Sequence, residues 1–336
     1  MNDRSANTTP SIECKMCRNH EPPVLTHSEY RELLCATRQS GSVQWPWHFI
    51  ALMVACLLML GGYGTLSLGS VWACLVSCLL LAIGMLMLQV VMHEVAHNSL
   101  VRRPRGNALI GWFAGLLVLT PFCSYRRGHH AHHRFAGTER DPTAAPDTSR
   151  WHKVLVNRLV KLHVVPVLYL GGVYVAYLIY DAKSKSTTHK LEWALNLLEI
   201  ILLQAILAWL FGPFRYLLVL VFAFWVSAIF YEYLFTQHQH VGLLPGPRHN
   251  DRYRLREQQV FSRSVRMRCA GILMFFNLHK EHHLFPNLPC CYLPRVHDWL
   301  QRNRPDVLEY TSDHLGIFQR RTDLRIYEPT PGDHRG

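Results

Sequence analysis

The sequence predicts an all-α integral membrane protein: two transmembrane helical hairpins, making four spans, with further interfacial helices, capped on the cytoplasmic side by a histidine-rich metal-binding helical domain. Three observations lead there. The chain of 336 residues is 49% hydrophobic and only 17% charged, and its apolar residues come in long uncharged runs rather than the narrow stripes of a soluble domain. Histidines gather in three clusters beside those runs, and basic residues crowd the loops next to them.

Residues 1–45 read as an N-terminal cytoplasmic tail. Cys14, Cys17 and His20 form a CxxCxxH fragment there, but no second pair stands at zinc-finger spacing, so a peripheral tail is the simpler reading. The first apolar run begins only near residue 48, which excludes a cleavable signal peptide and leaves that run to act as the insertion signal.

The body of the protein is expected over residues 46–300. Phe49 to Gly69 and Val71 to Met92 are uncharged. Each is about 20 residues long, enough to cross a hydrocarbon core of roughly 30 Å at 1.5 Å per residue. A Gly/Ser break at Leu68, Gly69 and Ser70 makes them a hairpin. Leu191 to Phe211 and Tyr216 to Phe235 repeat the plan around Gly212 and Pro213. Glu192 opens the third span where headgroups solvate it, whereas Glu199 and Glu232 lie deeper, so those helices are not wholly lipid-facing. Ala108 to Phe122 and Val164 to Tyr180 are also apolar, but a crossing by the first would put neighbouring histidine clusters on opposite sides. Pro166, Gly171 and Gly172 make the second a poor span, and both are read as interfacial. Residues 301–336 form a C-terminal cytoplasmic tail.

Arg102, Arg103, Arg105, Arg126, Arg127, Arg134 and Arg140 crowd one loop, while the turn near Gly69 has no Lys or Arg; Arg215 at the other turn is a mild exception. The positive-inside rule then puts both termini and all histidine clusters in the cytoplasm. The net charge of +12 does not indicate a nucleic-acid partner, because the basic residues flank membrane spans and meet anionic headgroups. The same face suits an acidic protein partner. Of ten cysteines, Cys56, Cys74 and Cys78 fall within spans and act as small hydrophobes; Cys290 and Cys291 read as packed or solvated thiols.

The chemistry lies in the histidines. His93 and His97 stand in HEVAH, His129, His132 and His133 in HHAHH, and His279, His282 and His283 in HKEHH. Spacings of three and four put each set on one helix face. One ion is satisfied by about four ligands, so eight converging imidazoles call for two metal ions or for one of the clusters to be idle; imidazole suits iron, copper and zinc alike. Packing gives no reason for HxxHH to occur twice beside apolar spans, since an unsatisfied buried imidazole is costly. His130 is about 100° off the face of its cluster. His48, His163, His189, His249, His297 and His314 have no cluster partners and are assigned surface or interface roles. Glu94, Asp141 and Glu281 are placed to orient ligand imidazoles.

The segments HEVAHN, RRGHHAHHRFAGTERDP and NLHKEHHLFP resemble the membrane fatty acid desaturase family, over about residues 46–300. The resemblance implies a diiron centre of two Fe ions, O2 as co-substrate and an external electron donor. It also implies one more histidine ligand just after the fourth membrane helix, for which TQHQHVG offers His238, the nearer to the helix end, or His240. Desaturases, hydroxylases, ketolases and acetylenases share this ligand pattern. Unactivated methylene C–H bonds resist acid, base and nucleophile, so oxidation of an acyl chain calls for a redox metal, which favours iron over zinc. No HPGG haem motif and no Gly-rich dinucleotide fingerprint occurs, so electrons are expected from a separate ferredoxin or cytochrome. The substrate is expected to be a lipid or acyl thioester, with acyl carrier protein among its carriers. A zinc metalloprotease using Glu94 as general base would leave two clusters without purpose. A non-enzymatic metal-binding scaffold would bind no redox-active metal.

Overall fold

The computed structural model describes residues 25–39, 46–136, 141–142, 177–231, 234–235, 262, 264–265, 267, 270–308 and 310–311. Among them the chain is mostly helical: α1 His27–Gln39, α2 Pro46–Leu66, α3 Val71–Ala96, α4 Pro104–Leu117, α5 Phe122–Phe135, α6 Thr187–Phe211, α7 Pro213–Tyr231, α8 His279–Leu284 and α9 Leu293–Asn303. One short parallel ladder joins β1 Ser264–Val265 to β2 Tyr310–Thr311.

Four helices are long and apolar enough to cross a membrane: His48–Leu66, Val71–Ala96, Thr187–Phe211 and Pro213–Tyr231. They coincide with the four expected runs. Their surfaces agree with a lipid environment, because Leu57, Leu60, Trp72, Leu202, Trp209 and Val221 stand exposed on them, where only hydrocarbon would solvate such side chains. Gly69 and Gly212 take positive φ at the two turns between neighbouring spans. Ser70 caps α3 by accepting a hydrogen bond from the Ala73 amide at 3.1 Å.

Helix α3 is the hub. It packs along α2, α7 and α4, and from Leu81 to Ala96 all its residues but Ile83 are buried. Small residues permit the approach of α2: a Cβ on Gly84 would stand 2.8 Å from Met59 Sδ. At 26 residues, α3 is about 39 Å long at 1.5 Å per residue, more than a hydrocarbon core of roughly 30 Å requires.

Helices α4 and α5, 14 residues each, are bent 108° from one another. Leu119 at φ 60 and the Pro121 that follows make the corner. Helix α4 is tied to α6 by polar contacts. Trp112 Nε1 donates to Glu199 at 2.7 Å, and Gln204 Nε2 donates to the Leu116 carbonyl at 3.1 Å. Glu199 therefore faces protein, as its position inside a span requires. Glu232 and residues 164–176 lie outside the described residues; 177–182 are helical.

Helix α1 belongs to a second, smaller core with α9. Leu25, Leu33, Val296, Trp299 and Leu300 are buried there. A reciprocal cap starts α1, in which the Thr26 amide donates to Glu29 at 2.6 Å and the Glu29 amide to Thr26 Oγ1 at 3.3 Å. That exchange, reinforced by Arg304, holds the Glu29 carboxyl below the usual range.

Candidate metal centre

Cluster one ends α3. His93 lies in its last turn and His97 caps it, after which Asn98, at φ 56, turns the chain away and accepts from Arg126 at 3.2 Å. Cluster two lies along α5 and cluster three forms α8. The third cluster is positioned by the β1 segment, since Asn277 Nδ2 donates to the Val265 carbonyl at 2.7 Å and the Val265 amide to the Asn277 carbonyl at 2.9 Å.

All eight imidazoles meet at one end of α3. The His93 ring lies 4.6 Å from His129 and 4.4 Å from His282, and the His97 ring lies 4.6 Å from His133 and 4.7 Å from His282. Nitrogens of His93, His97, His129, His133 and His282 all lie within 4.8 Å of one another, a set that could hold a metal ion. The other three close a second lobe against it. His283 stacks on His133 at 4.2 Å, places Nε2 3.1 Å from His279 Nε2, and lies 5.5 Å from the His132 ring.

The donor set fits metal ions by several physical tests. His93 Nε2 and His97 Nε2 are buried without a hydrogen-bond partner among the described residues. Such an orphan costs about 1–3 kcal/mol unless something accepts its lone pair. Nε2 atoms face one another at 3.1 Å between His129 and His133, and at 3.2 Å between His133 and His282. Burial first, then repulsion among the rings, pushes His97, His129 and His282 well below the ordinary histidine range. They are therefore neutral, the form that coordinates.

Carboxylates and packing orient the rings. Asp141 accepts from His132 Nδ1 at 3.0 Å, which fixes that proton on Nδ1 and leaves Nε2 as donor atom. Glu94 does the same for His93 at 3.4 Å, a longer contact. Tyr125 stacks on His129 at 5.4 Å. Glu281 takes its hydrogen bonds from His297 and Ser264. His130 donates from Nε2 to the Ala96 carbonyl at 2.9 Å, in keeping with its place off the cluster face.

Helix α5 is held by a clamp that the sequence did not announce. Arg127 Nε donates to Asp181 at 2.6 Å and its Nη1 to Glu192 at 2.6 Å, while Ser124 Oγ donates to Asp181 at 2.8 Å. Gly128 fits there because Tyr177 leaves no room: a Cβ would meet its ring at 2.2 Å. His48 and Cys290, assigned to surface or packing roles from sequence, are both buried and face each other at 2.8 Å. No local pattern links residues 48 and 290, so that contact carried no sequence signal. His238 and His240 lie outside the described residues.

An apolar helical bundle with a buried polyhistidine cluster at one end marks a membrane protein with a site able to hold metal. More narrowly, the sequence model for the fatty acid desaturases matches residues 70–314, and the chain belongs to the fatty acid desaturase family. Among curated relatives it is similar to an Arabidopsis thaliana protein named acyl-lipid omega-3 desaturase (cytochrome b5), endoplasmic reticulum, at 26% identity over 60% of this chain and 56% of that one. It also resembles a Caenorhabditis elegans protein named putative sphingolipid delta(4)-desaturase/C4-monooxygenase, at 27% over 72% and 61%. A third relative is the Brassica napus chloroplastic omega-3 fatty acid desaturase, at 23% over 60% and 54%. The chain spans somewhat over half the length of these relatives.

Proposed function

We propose that the chain is an O2-dependent acyl desaturase that introduces a carbon–carbon double bond into a lipid or acyl-thioester chain. The observation that carries this reading is the convergence of His93, His97, His129, His132, His133, His279, His282 and His283 at the C-terminal end of α3. They would hold two iron ions, with His238 as the further ligand. When bound, the irons supply the redox chemistry that couples O2 reduction to loss of two hydrogens from adjacent methylenes. With two electrons and two protons from outside, the balance is one alkene and two waters.

The protein's own residues prepare the site. Asp141 and Glu94 fix ring tautomers, the buried rings stay neutral, and Phe276 closes the side of His93 at 4.5 Å, backed by Phe235 at 4.8 Å. These aromatic faces present an apolar wall to an acyl chain and exclude water from it. Electrons would come from a separate cytochrome- or ferredoxin-type protein docking on the arginine-rich loops; the Arabidopsis relative carries cytochrome b5 in its name. The four spans would form two hairpins, with both tails and the cluster on the cytoplasmic side.

The test is product mass from purified protein supplied with iron, reductant and O2. Desaturation makes the acyl product about two mass units lighter, whereas a gain of about sixteen would mean oxygen insertion and overturn the reading.

A further inference from the structure

We propose that this chain binds a second kind of metal site, a single dication held by His48, Glu94 and Cys290 beside the polyhistidine cluster. His48 stands near the start of α2, Glu94 in the last turn of α3, and Cys290 opens the turn after α8. One donor atom from each lies within 4.8 Å of the others, and all three residues are buried. Their exposures are 5%, 2% and 1%. None of the three is one of the eight cluster histidines, although Glu94 stands beside His93 in HEVAH, and each comes from a different segment, so the juxtaposition is made by the tertiary fold.

Geometry and charge both suit a dication of the zinc type. Bonds of about 2.0–2.3 Å around a tetrahedral ion put donor atoms roughly 3.3–3.6 Å apart. His48 Nε2 and Cys290 Sγ, now 2.8 Å apart, need open by less than about 1 Å to reach that spacing. A coordinating thiol is deprotonated by the ion it binds. Neutral imidazole, carboxylate and thiolate then sum to two negative charges, which one dication cancels, leaving no net charge in a buried site.

Glu94 keeps its other contacts in this arrangement. It receives hydrogen bonds from His93 Nδ1 at 3.4 Å and Ser99 Oγ at 2.8 Å, and an ionised carboxylate offers about four lone-pair sites. The ion would therefore tie the α2 entrance and the turn after cluster three to the carboxylate that orients His93. Its role is to fix clusters one and three relative to each other, with a fourth position left for water or a neighbouring group.

Cobalt(II) is the probe, because a thiolate ligand gives a sulfur-to-cobalt charge-transfer band that imidazole and carboxylate ligands do not. The full-length protein, stripped of metal and titrated with cobalt, should develop that band. Cys290→Ser should abolish it, Cys291→Ser should keep it, and His48→Gln, which leaves the sulfur in place, should weaken cobalt binding at least about tenfold. Absence of the band, its survival in Cys290→Ser, or its dependence on Cys291 alone would overturn the site. The reading is independent of the polyhistidine cluster, which has no sulfur ligand and is silent in this band whatever it binds.

Discussion

At the scale of single residues, the carboxylates around the cluster set its chemistry through protons. Asp141 is buried and holds His132 Nδ1, so Asp141→Asn should lower metal affinity or turnover by about 10- to 100-fold, read by metal content and rate, while the helices stay folded. Alanine at any one of His93, His97, His129, His132, His133, His279, His282 or His283 should abolish turnover and leave membrane insertion intact; full activity in two or more variants would remove these residues from the ligand set. The convergence of the eight rings, though not their role as ligands, was legible in the sequence because i, i+3 and i+4 spacing fixes a shared face. Glu281 was misread for the same geometric reason. It lies two residues after His279, about 200° around the helix, and so meets His297 on the opposite side. The His48–Cys290 contact was invisible because nothing local connects its ends.

At the scale of elements, α5 depends on its clamp more than on its length. Asp181 is almost fully buried and Arg127 engages it through two nitrogens, so Arg127→Met leaves a buried carboxylate with Ser124 as its one remaining side-chain partner among the described residues. Loss of about 3–5 kcal/mol of stability is expected, measured by thermal or denaturant unfolding in detergent, with cluster-two metal binding lost alongside. The four membrane helices could be read to within a few residues, since uncharged runs of that length have one solvent that suits them. The continuation of α3 from Met92 to Ala96 could not, because polar histidines and Glu94 mark the end of an apolar run without ending a helix. The α4–α5 bend likewise depends on backbone torsion at Leu119, which composition does not report.

At the scale of the whole molecule, the proposed arrangement of the spans would decide which compartment supplies electrons. A cysteine introduced at Ala144 in sealed vesicles should be labelled by impermeant reagents only from the cytoplasmic side; labelling from the other side would overturn the proposed orientation. The arginines of that loop carried this expectation in the sequence alone, whereas the packing of α1 on α9 depends on partners some 260 residues apart in the chain, as in Arg295 Nη1 to the Thr37 carbonyl with a separation of 258.

The excess length of α3 acts as a gauge of height. A helix longer than the slab it crosses can hold its tip above the acyl region, so the proposed metal centre, if α3 stands upright, would wait near the headgroups rather than among the chain ends. An acyl substrate of the proposed reaction would have to rise to it, and the methylene that arrives there would be set by how far the chain can be drawn up before its headgroup stops against the protein. Regiochemistry, on this view, is a vertical measurement made by a single helix.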